Sequence, residues 1–438
     1  MEQYMKTELE YALKGIATSN LKTAAEQEDI TQKDLQNLIA QGKAVIIRGH
    51  GRERAVAVGK NLRTKVNASI GTSSDIVNVK MELQKAKVAE QFGADTLMEL
   101  STAGDLDFIR RKVLNAVKIP VGSVPLYQAA IESINQSGAV VQMTDEFLFE
   151  TIRKQCEDGI GFMAIHCGVN RTTLQRLQNQ GYRYGGLVSR GGAFMIAWMI
   201  HNNKENPLFE HFDKLTSILR KYDTVLSLGN GMRAGAIKDS TDSAQIQELI
   251  VNAELAERAR AKGVQVIVEG PGHIPIDEIQ MNVILQKKLT NEAPFYMLGP
   301  IVTDVSAGYD HIAAAVGASL SSAYGADFIC YVTPAEHLAL PFPDDVKEGV
   351  IAARIAAHIG DMIKLKKQDQ DTNVALARRD LNWKKQFENL IEPRKGKTLR
   401  RQRHPQNEKT CTMCGEHCAL RIVREFFVQC EPCPIPCK

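Results

Sequence analysis

The sequence of 438 residues has no long apolar run, few aromatic residues and almost no net charge. The uncharged stretch at residues 312–326 is too short to cross a bilayer and is rich in Ala, Gly and Ser. The charged N-terminal segment lacks the apolar core that a secretory signal carries. A net charge of +3 gives no general attraction to nucleic acid or to an acidic membrane. These absences favour a cytoplasmic protein, and the hydrophobic content of 44% is sufficient for a large core.

Cysteine is scarce over most of the chain and concentrated near its end. Cys156, Cys167 and Cys330 are scattered through the body, whereas the other six of the nine cysteines fall within residues 411–437. Because cytosolic proteins keep their thiols reduced, six cysteines in so short a segment indicate metal ligands rather than disulfides.

This tail contains two cysteine triplets with the spacing C-x2-C-x3-C, namely Cys411, Cys414 and Cys418, and then Cys430, Cys433 and Cys437. Three thiolates can hold three irons of a 4Fe–4S cluster and leave the fourth iron open for S-adenosylmethionine. The 15 residues between Cys414 and Cys430 also match a zinc ribbon, with a basic linker beside it at 394–404. The third cysteine of each triplet is surplus to a four-ligand zinc site, which favours clusters. A barrel-shaped binding protein with a zinc-ribbon tail remains the non-enzymatic alternative.

Apolar strand candidates alternate with amphipathic helix candidates through most of the chain. The strand candidates are 65–70, 95–100, 119–124, 161–166, 185–189, 224–228, 264–268, 294–298 and 327–332. The helix candidates between and after them include 76–92, 147–156, 209–222, 243–262 and 344–366. Such an alternation predicts an α/β fold with a parallel sheet, and we expect it to close as a (β/α)8 barrel with one strand candidate in excess.

The predicted organisation has three parts. Residues 1–60 form a small N-terminal helical lead-in with a short strand at 44–47, and residues 61–390 form the catalytic barrel, with a last helix at 374–389. Residues 391–438 form the basic linker and the cysteine-rich tail.

The working face of such a barrel lies at the C-terminal ends of its strands, where this chain places polar residues after almost every strand candidate. These candidates, with a few neighbours, are Asn67, Met98, Glu99, Tyr127, His166, Ser189, Arg190, Gly191, Asn230, Gly231, Met232, Arg233, Glu269, Tyr296 and Asp304. Any one of them could be a core or capping residue, but together they indicate a substrate site. Arg190 before two glycines at a predicted helix start suits a phosphate group, although an N-cap with a tight turn explains the same motif.

Two histidines, His273 and His337, lie on proline-bearing turns after later strand candidates. They could ligate a divalent metal such as zinc, and two ordinary loop histidines are the alternative. His311 is a weaker candidate because it is predicted to open a helix.

An ordered series of motifs resembles the radical S-adenosylmethionine phosphomethylpyrimidine synthase family over residues 61–418: NASIGTSS, DTLMELST, GSVPLYQA, AIHCGVN, LVSRGG, SLGNGMR, VEGPGHIP, APFYMLGP, GYDHI, CYVTPAEHLALP and CTMCGEHC. The resemblance implies a (β/α)8 barrel with a cluster-bearing tail, in a homodimer whose tails reach the partner's barrel. It implies a lyase-type radical reaction, in which a 5′-deoxyadenosyl radical abstracts hydrogen from the ribose of 5-aminoimidazole ribonucleotide. The cofactors would be a 4Fe–4S cluster, S-adenosylmethionine and zinc or another divalent metal, with a flavodoxin or ferredoxin as electron donor.

The resemblance also assigns roles to individual residues. Substrate contacts fall on Asn67, Met98, Tyr127, His166, Ser189, Arg190, Gly191, Asn230, Gly231, Met232, Arg233, Glu269 and Tyr296. Catalytic roles fall on Glu269, His166 and Asn230. The metal ligands would be His273 and His337, and the cluster ligands would be Cys411, Cys414 and Cys418.

This chain departs from the family pattern at several points. The family's usual triplet is C-x2-C-x4-C, the family's usual Asp residues are replaced by Asn230 and Glu99, and the second triplet is an addition. A paralogous branch converts the same substrate to 5-hydroxybenzimidazole, the lower-ligand precursor of anaerobic cobamides. Because exchanged carboxylates change the proton carriers at a site, we expect this chain to belong to that branch. Phosphomethylpyrimidine synthase of thiamin biosynthesis is the alternative, and a paralogous subunit could be required.

Overall fold

The computed structural model describes residues 7–52, 54–181 and 183–428, which fall into two compact units divided between Leu365 and Lys366. The strands are β1 (Ala44–Arg48), β2 (Ala55–Gly59), β3 (Lys65–Ile70), β4 (Thr96–Glu99), β5 (Val121–Ser123), β6 (Phe162–Ile165), β7 (Val225–Leu228), β8 (Val266–Glu269), β9 (Phe295–Met297) and β10 (Phe328–Cys330). The helices of the first unit are α1 (Glu8–Leu13), α2 (Ser19–Glu28), α3 (Gln32–Ala40), α4 (Val79–Phe92), α5 (Leu106–Leu114), α6 (Pro125–Ser137), α7 (Asp145–Glu157), α8 (Arg171–Gln180), α9 (Arg190–Asn202), α10 (Pro207–Glu210), α11 (Phe212–Tyr222), α12 (Ser243–Ala261), α13 (Ile279–Leu289), α14 (Asp310–Tyr324) and α15 (Pro343–Lys364). Those of the second unit are α16 (Asp369–Arg379), α17 (Trp383–Glu388), α18 (Pro393–Gln402) and α19 (Ala419–Val428).

Strands β3 to β10 close into a parallel barrel in chain order, with β10 paired to β3. The predicted (β/α)8 barrel is therefore confirmed. The strand candidate at 185–189 was the one in excess, since only Leu187 pairs there, in an isolated bridge to Ala234. A Cβ on Gly185 would lie 2.5 Å from the carbonyl carbon of Gly235, so the segment forms a close crossing above the barrel instead of a strand.

The barrel interior is filled by side chains rather than open. Phe328 stacks on Tyr296 with ring centroids 4.2 Å apart and meets Phe162 edge-on at 6.0 Å. A Cβ on Gly122 would lie 2.5 Å from the Phe162 ring, so a residue without a side chain makes room for that ring. The packed interior leaves the strand ends as the place where polar groups can meet a ligand.

The N-terminal region packs helices α1–α3 against an antiparallel β1–β2 hairpin and has its own apolar core. The strand predicted at 44–47 is present as β1, and its partner β2 was not predicted. Gln265, just before β8, holds the hairpin because its amide accepts from Ile46 N at 2.8 Å and donates to Ile46 O at 3.1 Å.

The C-terminal unit differs from its prediction in two ways. The predicted last helix at 374–389 is two helices, α16 and α17, because Leu381 between them adopts a left-handed conformation with φ of 52°. The predicted basic linker forms α18, since Pro393 occupies its first turn and Glu392 accepts hydrogen bonds from two of its amides. Cys430, Cys433 and Cys437 lie outside the described residues. The predicted domain boundaries stay predictions, and none of the helices in the described ranges has the length and apolarity needed to cross a bilayer.

Candidate active site

Strands β3, β4, β9 and β10 are joined by a hydrogen-bond network around Asn67. Its Nδ2 donates to Tyr296 Oη at 2.9 Å, and its Oδ1 accepts from Thr96 Oγ1 at 2.7 Å. Cys330 Sγ lies 3.8 Å from Asn67 Nδ2 and 3.5 Å from Ser69 Oγ. Burial raises the pKa of Tyr296 well above its usual value, so its hydroxyl keeps its proton. Two predicted residues thus come together, and Cys330, Thr96 and Ser69 join them.

His166, at the end of β6, is buried, and one of its two ring nitrogens is fixed by a hydrogen bond. Its Nε2 lies 3.2 Å from Ser189 Oγ, whereas its Nδ1 has no hydrogen-bond partner among the described residues. A Cβ on Gly191 would lie 2.3 Å from the imidazole, so glycine is needed there. Burial, with a smaller contribution from the Arg233 charge, lowers the pKa of His166 to about 3. The imidazole is therefore neutral and has one nitrogen that can meet a ligand.

The Ser189–Arg190–Gly191 turn begins helix α9. Ser189 is its N-cap, and its Oγ accepts from Gly192 N at 3.0 Å. Arg190 is exposed, and its guanidinium lies 5.1 Å from the centroid of the Tyr127 ring. The capping interpretation of this motif is therefore correct, and it coexists with a free guanidinium beside a helix N-terminus.

Glu269, at the end of β8, is buried without a cation in hydrogen-bond contact in the described part of the chain. Its Oε1 accepts from Ser227 Oγ at 2.8 Å, and its Oε2 accepts from Asn230 N at 3.3 Å. Burial raises its pKa, only partly offset by these hydrogen bonds and by the Arg233 charge. Glu99 is also buried, accepts from Ser101 N at 2.9 Å, and has a pKa raised by burial. Both carboxyl groups are thereby suited to hold a proton.

The turn at 230–233 is organised by a residue that the sequence did not indicate. Glu248 on α12 accepts from Asn230 Nδ2 at 2.7 Å, Gly231 N at 2.7 Å and Met232 N at 2.8 Å. Burial raises the pKa of Glu248 to about 7. Asn230 keeps its Oδ1 free of hydrogen-bond partners within the described ranges. A carboxylate in mid-helix gives no local signal of this contact.

The two methionines predicted as substrate contacts are packed into the core, since Met98 is 5% and Met232 0% exposed. A Cβ on Gly231 would lie 2.2 Å from Val169, so this glycine serves close packing of the turn. Arg233 donates to Asn230 O at 3.2 Å, and its charge lowers the pKa values of Tyr127, His166 and Glu269, which opposes the effect of burial at Tyr127 and Glu269 and adds to it at His166. Arg233 is thus the positive charge that these three groups share.

His273 and His337 face each other, with their Nε2 atoms 3.2 Å apart. Each has a carboxylate behind it: His273 Nδ1 lies 2.8 Å from Asp304 Oδ1, and His337 Nδ1 lies 3.1 Å from Asp310 Oδ2. Asp304 was predicted as a rim residue and Asp310 was not. His311 lies in the first turn of α14. The two histidines are therefore brought together as predicted.

In the C-terminal unit, Cys411 and Cys414 precede a short 3₁₀ turn (Gly415–His417), and Cys418 follows it. Amide groups of Met413 and Cys414 donate to the Cys411 sulfur and lower its pKa, which favours a thiolate. Within residues 7–52, 54–181 and 183–428, no group of three or more His, Cys, Asp or Glu side chains is disposed to hold a metal ion. The donor set itself, three thiols with one favoured as thiolate, suits an iron–sulfur cluster.

Comparison with known proteins gives consistent results. A model described as the radical SAM ThiC family, where SAM is S-adenosylmethionine, matches residues 7–425. The 5-hydroxybenzimidazole synthase of Geobacter metallireducens is 57% identical over 426 residues, covering 97% of this chain and 98% of that protein. Phosphomethylpyrimidine synthase 1 of Methanothermobacter thermautotrophicus is 58% identical over 424 residues, covering 96% and 98%. A solved dihydropteroate synthase of Coxiella burnetii has 13% identity and a TM-score of 0.41, covering 72% of this chain and 99% of that one.

Proposed function

The chain belongs to the radical SAM ThiC family, and on that premise we propose that it converts 5-aminoimidazole ribonucleotide to 5-hydroxybenzimidazole for the lower ligand of cobamides. As an enzyme of this family it uses S-adenosylmethionine and a 4Fe–4S cluster. We propose that Cys411, Cys414 and Cys418 hold the cluster, which when bound supplies the electron for reductive cleavage of S-adenosylmethionine.

The observation that carries the proposal is a set of buried polar side chains. In each of them one atom is hydrogen-bonded and another has no hydrogen-bond partner among the described residues. His166 is held through Nε2 and keeps Nδ1 free, and Asn230 is held through Nδ2 and keeps Oδ1 free. Because buried polar atoms are normally paired, free atoms at the working end of a barrel favour a ligand that completes them. We assign His166 and Asn230 to holding the substrate, and Glu269 to holding and transferring a proton near it.

The substrate's phosphate has a suitable position beside α9. The first amides of this helix and the exposed guanidinium of Arg190 can both donate to phosphate oxygens. Tyr127 lies against that guanidinium and limits the directions in which it can point.

The choice of product rests on Asn230 and Glu99. The Asn230 amide is neutral and donates to Glu248, and Glu99 carries its buried carboxyl on a longer side chain than Asp would. A rearrangement that moves protons differently needs differently placed carboxyl groups, which supports the benzimidazole branch. The phosphomethylpyrimidine synthase relative is equally similar over its length, so pyrimidine formation is the second candidate.

We further propose that His273 and His337 hold zinc or another divalent metal. Two nitrogens bound to one tetrahedral zinc at about 2.0–2.1 Å lie roughly 3.3 Å apart, which agrees with the Nε2 separation of 3.2 Å. Carboxylates behind both imidazoles are the usual support of such ligands. The remaining ligands would come from solvent or substrate. A homodimer with exchanged tails is also proposed, and native mass measurement tests it.

The decisive experiment identifies the product. The reconstituted protein, incubated without oxygen with 5-aminoimidazole ribonucleotide, S-adenosylmethionine and dithionite, should yield 5-hydroxybenzimidazole by mass spectrometry. Hydroxymethylpyrimidine phosphate as product would refute the benzimidazole assignment. A protein that forms no 5′-deoxyadenosine under these conditions would instead support the zinc-ribbon alternative.

A matched variant tests the assignment of the cluster. Cys414→Ala should lose the broad absorbance of the cluster and all 5′-deoxyadenosine formation, with an unchanged thermal unfolding midpoint. Cys156→Ala, which removes a cysteine from the barrel body, serves as control and should keep both. Retained 5′-deoxyadenosine formation in Cys414→Ala would remove this residue from the ligand set.

A further inference from the structure

The C-terminal unit is basic, whereas the rest of the chain is slightly acidic. Residues 366–428 contain 15 Lys and Arg against 8 Asp and Glu, a net charge of +7. Since the whole chain carries +3, the other residues together carry −4. The excess of positive charge therefore belongs to the unit that contains the cysteine triplet.

Helix α18 presents much of this charge to solvent. Lys397 and Arg401 lie one helical turn apart on the same side of α18, Arg403 is the residue at which this helix ends, and all three are exposed. In the part of the chain that the structure describes, these three side chains have no carboxylate partner, whereas Arg394 pairs with Glu392 at 2.7 Å. We call Lys397, Arg401 and Arg403 the basic face.

The basic face is tied to the first cluster cysteine through Arg400 on the same helix. The Arg400 guanidinium lies 3.7 Å from the Trp383 ring centroid, and it donates to Thr410 O at 3.1 Å and to the carbonyl of Glu408. Trp383 Nε1 donates to Lys409 O at 3.1 Å. These bonds hold three consecutive carbonyls directly before Cys411. The basic face and the cysteine turn thus belong to one connected piece of structure.

We propose that the basic face docks an acidic protein that carries single electrons and that this carrier reduces the cluster held at Cys411. The proposal rests on the proposed function, because cleavage of S-adenosylmethionine consumes one electron. A docked carrier would give up one electron to a cluster held by Cys411, Cys414 and Cys418, and no group or proton would be transferred at this step. Electron-transfer complexes have small interfaces and short lifetimes, and complementary charge increases the rate at which the two proteins associate.

A polyanion such as RNA is the competing partner for a basic helix. RNA-binding surfaces combine cations with aromatic rings on which bases stack. The aromatic ring that neighbours α18, Trp383, is already covered by Arg400. The attachment to the Cys411 turn is explained by electron delivery and has no purpose in RNA binding. The electron carrier is therefore the partner that these contacts favour.

The test compares two triple charge reversals in the full, reconstituted protein. K397E/R401E/R403E alters the basic face, and K33E/K80E/K87E makes the same change in net charge on exposed lysines of α3 and α4. Binding of an oxidised acidic flavodoxin at low salt is measured by calorimetric titration, and the first variant should bind it at least ~10-fold more weakly than the wild type and the control variant do. The rate of 5′-deoxyadenosine formation is measured with the reduced flavodoxin and, separately, with dithionite. With flavodoxin at low salt we expect the first variant to be slower by about 10-fold or more and to lose its salt dependence. With dithionite it should match the wild type.

Each other outcome has a distinct meaning. An unchanged rate with flavodoxin, or an equal loss in the control variant, would overturn the docking proposal. A loss with both reductants would also overturn it, because the residues would then act on the fold or on cofactor binding. If RNA bound the wild type but not the variant, and the rates with flavodoxin were unchanged, the partner of the basic face would be a polyanion and not an electron carrier. Failure of the wild type with dithionite would refute the proposed function itself.

Discussion

The two ends of the barrel solve the burial of polar groups in opposite ways. At the N-terminal ends of the strands, buried charges meet opposite charges: Lys65 lies 3.0 Å from Glu28, and Arg63 lies 2.7 Å from Asp95. At the C-terminal ends, His166 and Asn230 each keep one buried atom that has no hydrogen-bond partner in the described ranges. The first arrangement completes itself, whereas the second leaves bonds for a ligand to complete.

The pKa shifts follow this difference. The neighbouring Arg63 and Lys65 outweigh burial and lower the pKa of Asp95 at the base. At the rim, burial prevails and raises the pKa of Glu269 and Glu99. Asp95 at the base is therefore a fixed charge, whereas Glu269 and Glu99 at the rim hold a proton more readily than an exposed carboxyl group does. Substitutions at the two ends should accordingly affect different properties.

The largest expected effect follows from Glu269→Gln at the rim. Gln keeps an oxygen for the Ser227 hydroxyl but cannot transfer a proton, so kcat should fall by about 10²–10⁴-fold while the thermal unfolding midpoint hardly changes. Uncoupled 5′-deoxyadenosine formation should persist, which separates this loss from a loss of the cluster. A variant that retains kcat within about threefold would show that the proton resides elsewhere.

At the N-terminal ends of the strands, Glu28→Ala should show the opposite result, a loss of stability with turnover retained. Both side chains of the Lys65–Glu28 pair are almost completely buried, so removal of the carboxylate leaves a buried ammonium without its partner and should cost about 3–5 kcal/mol at about pH 5, where Lys65 is fully charged. Thermal unfolding measures this loss, and turnover well below the midpoint should be unchanged. Glu26→Ala, at an exposed position of the same helix, is the control.

The pH dependence of that loss has a definite sign. Burial lowers the pKa of Lys65 to about 8 in the folded protein, against 10.5 in the unfolded chain. Between these values the folded state binds fewer protons, so stability rises with pH. Glu28→Ala loses a charge that raises the pKa of Lys65, so the variant releases this proton at a lower pH than the wild type does, and its deficit should shrink as the pH rises from about 5 to about 8 and be small above that value. A deficit that grows with pH in this range would contradict the pairing argument.

A smaller effect is expected from Arg190→Ala, which changes the rim without changing a buried group. Loss of a charge-assisted contact to phosphate should weaken substrate binding by roughly 2–3 kcal/mol and leave stability unaltered. Calorimetric titration with 5-aminoimidazole ribonucleotide measures the affinity, with the exposed Arg176→Ala as control. An unchanged affinity would leave the turn with its helix-capping role alone.

The sequence predicted the barrel because the alternation of apolar strands and amphipathic helices can be recognised within short segments. The strand 65–70 matches β3, and most other strand bounds differ by one or two residues. The same signal located His166 and Glu269, which stand at strand ends. The wrong strand prediction also has a physical reason. Residues 185–189 are apolar enough for a strand, but Gly185 and Gly235 allow this segment to pack closely against residues 234–236.

The residues that were missed are those whose role depends on packing across the fold. Glu248 reaches the 230–233 turn from the middle of a helix, and Asp310 supports His337 from the start of α14. Cys330 was noticed only as an isolated cysteine, yet it lies in the Asn67 network. The basic helix α18 was predicted as a linker because its composition is so polar, and its cap at Glu392 was overlooked.

The smallest expected effect comes from Asn230→Asp. This substitution would add a carboxylate at the C-terminal ends of the strands without the cation that accompanies Asp95 at their N-terminal ends. The new carboxyl would take the place of an amide that lies 2.7 Å from Glu248. In the wild type, the pKa of Glu248 is about 7 when folded and about 4.5 when unfolded, so stability falls as pH rises between these values. A second carboxyl raises the pKa of the pair further, because two like charges at this distance cannot both ionise freely.

Below about pH 6 the two carboxyl groups of Asn230→Asp can share a proton and reproduce the original hydrogen bond, so the variant should resemble the wild type. At a pH high enough to ionise both groups, the variant should be roughly 1–3 kcal/mol less stable by thermal unfolding. Asn61→Asp, at an exposed position, should show no such pH dependence. A loss of equal size at both pH values would mean that geometry, not charge, limits this turn. Only the pH-dependent loss would show that this turn is sensitive to the charge of its buried carboxyl groups.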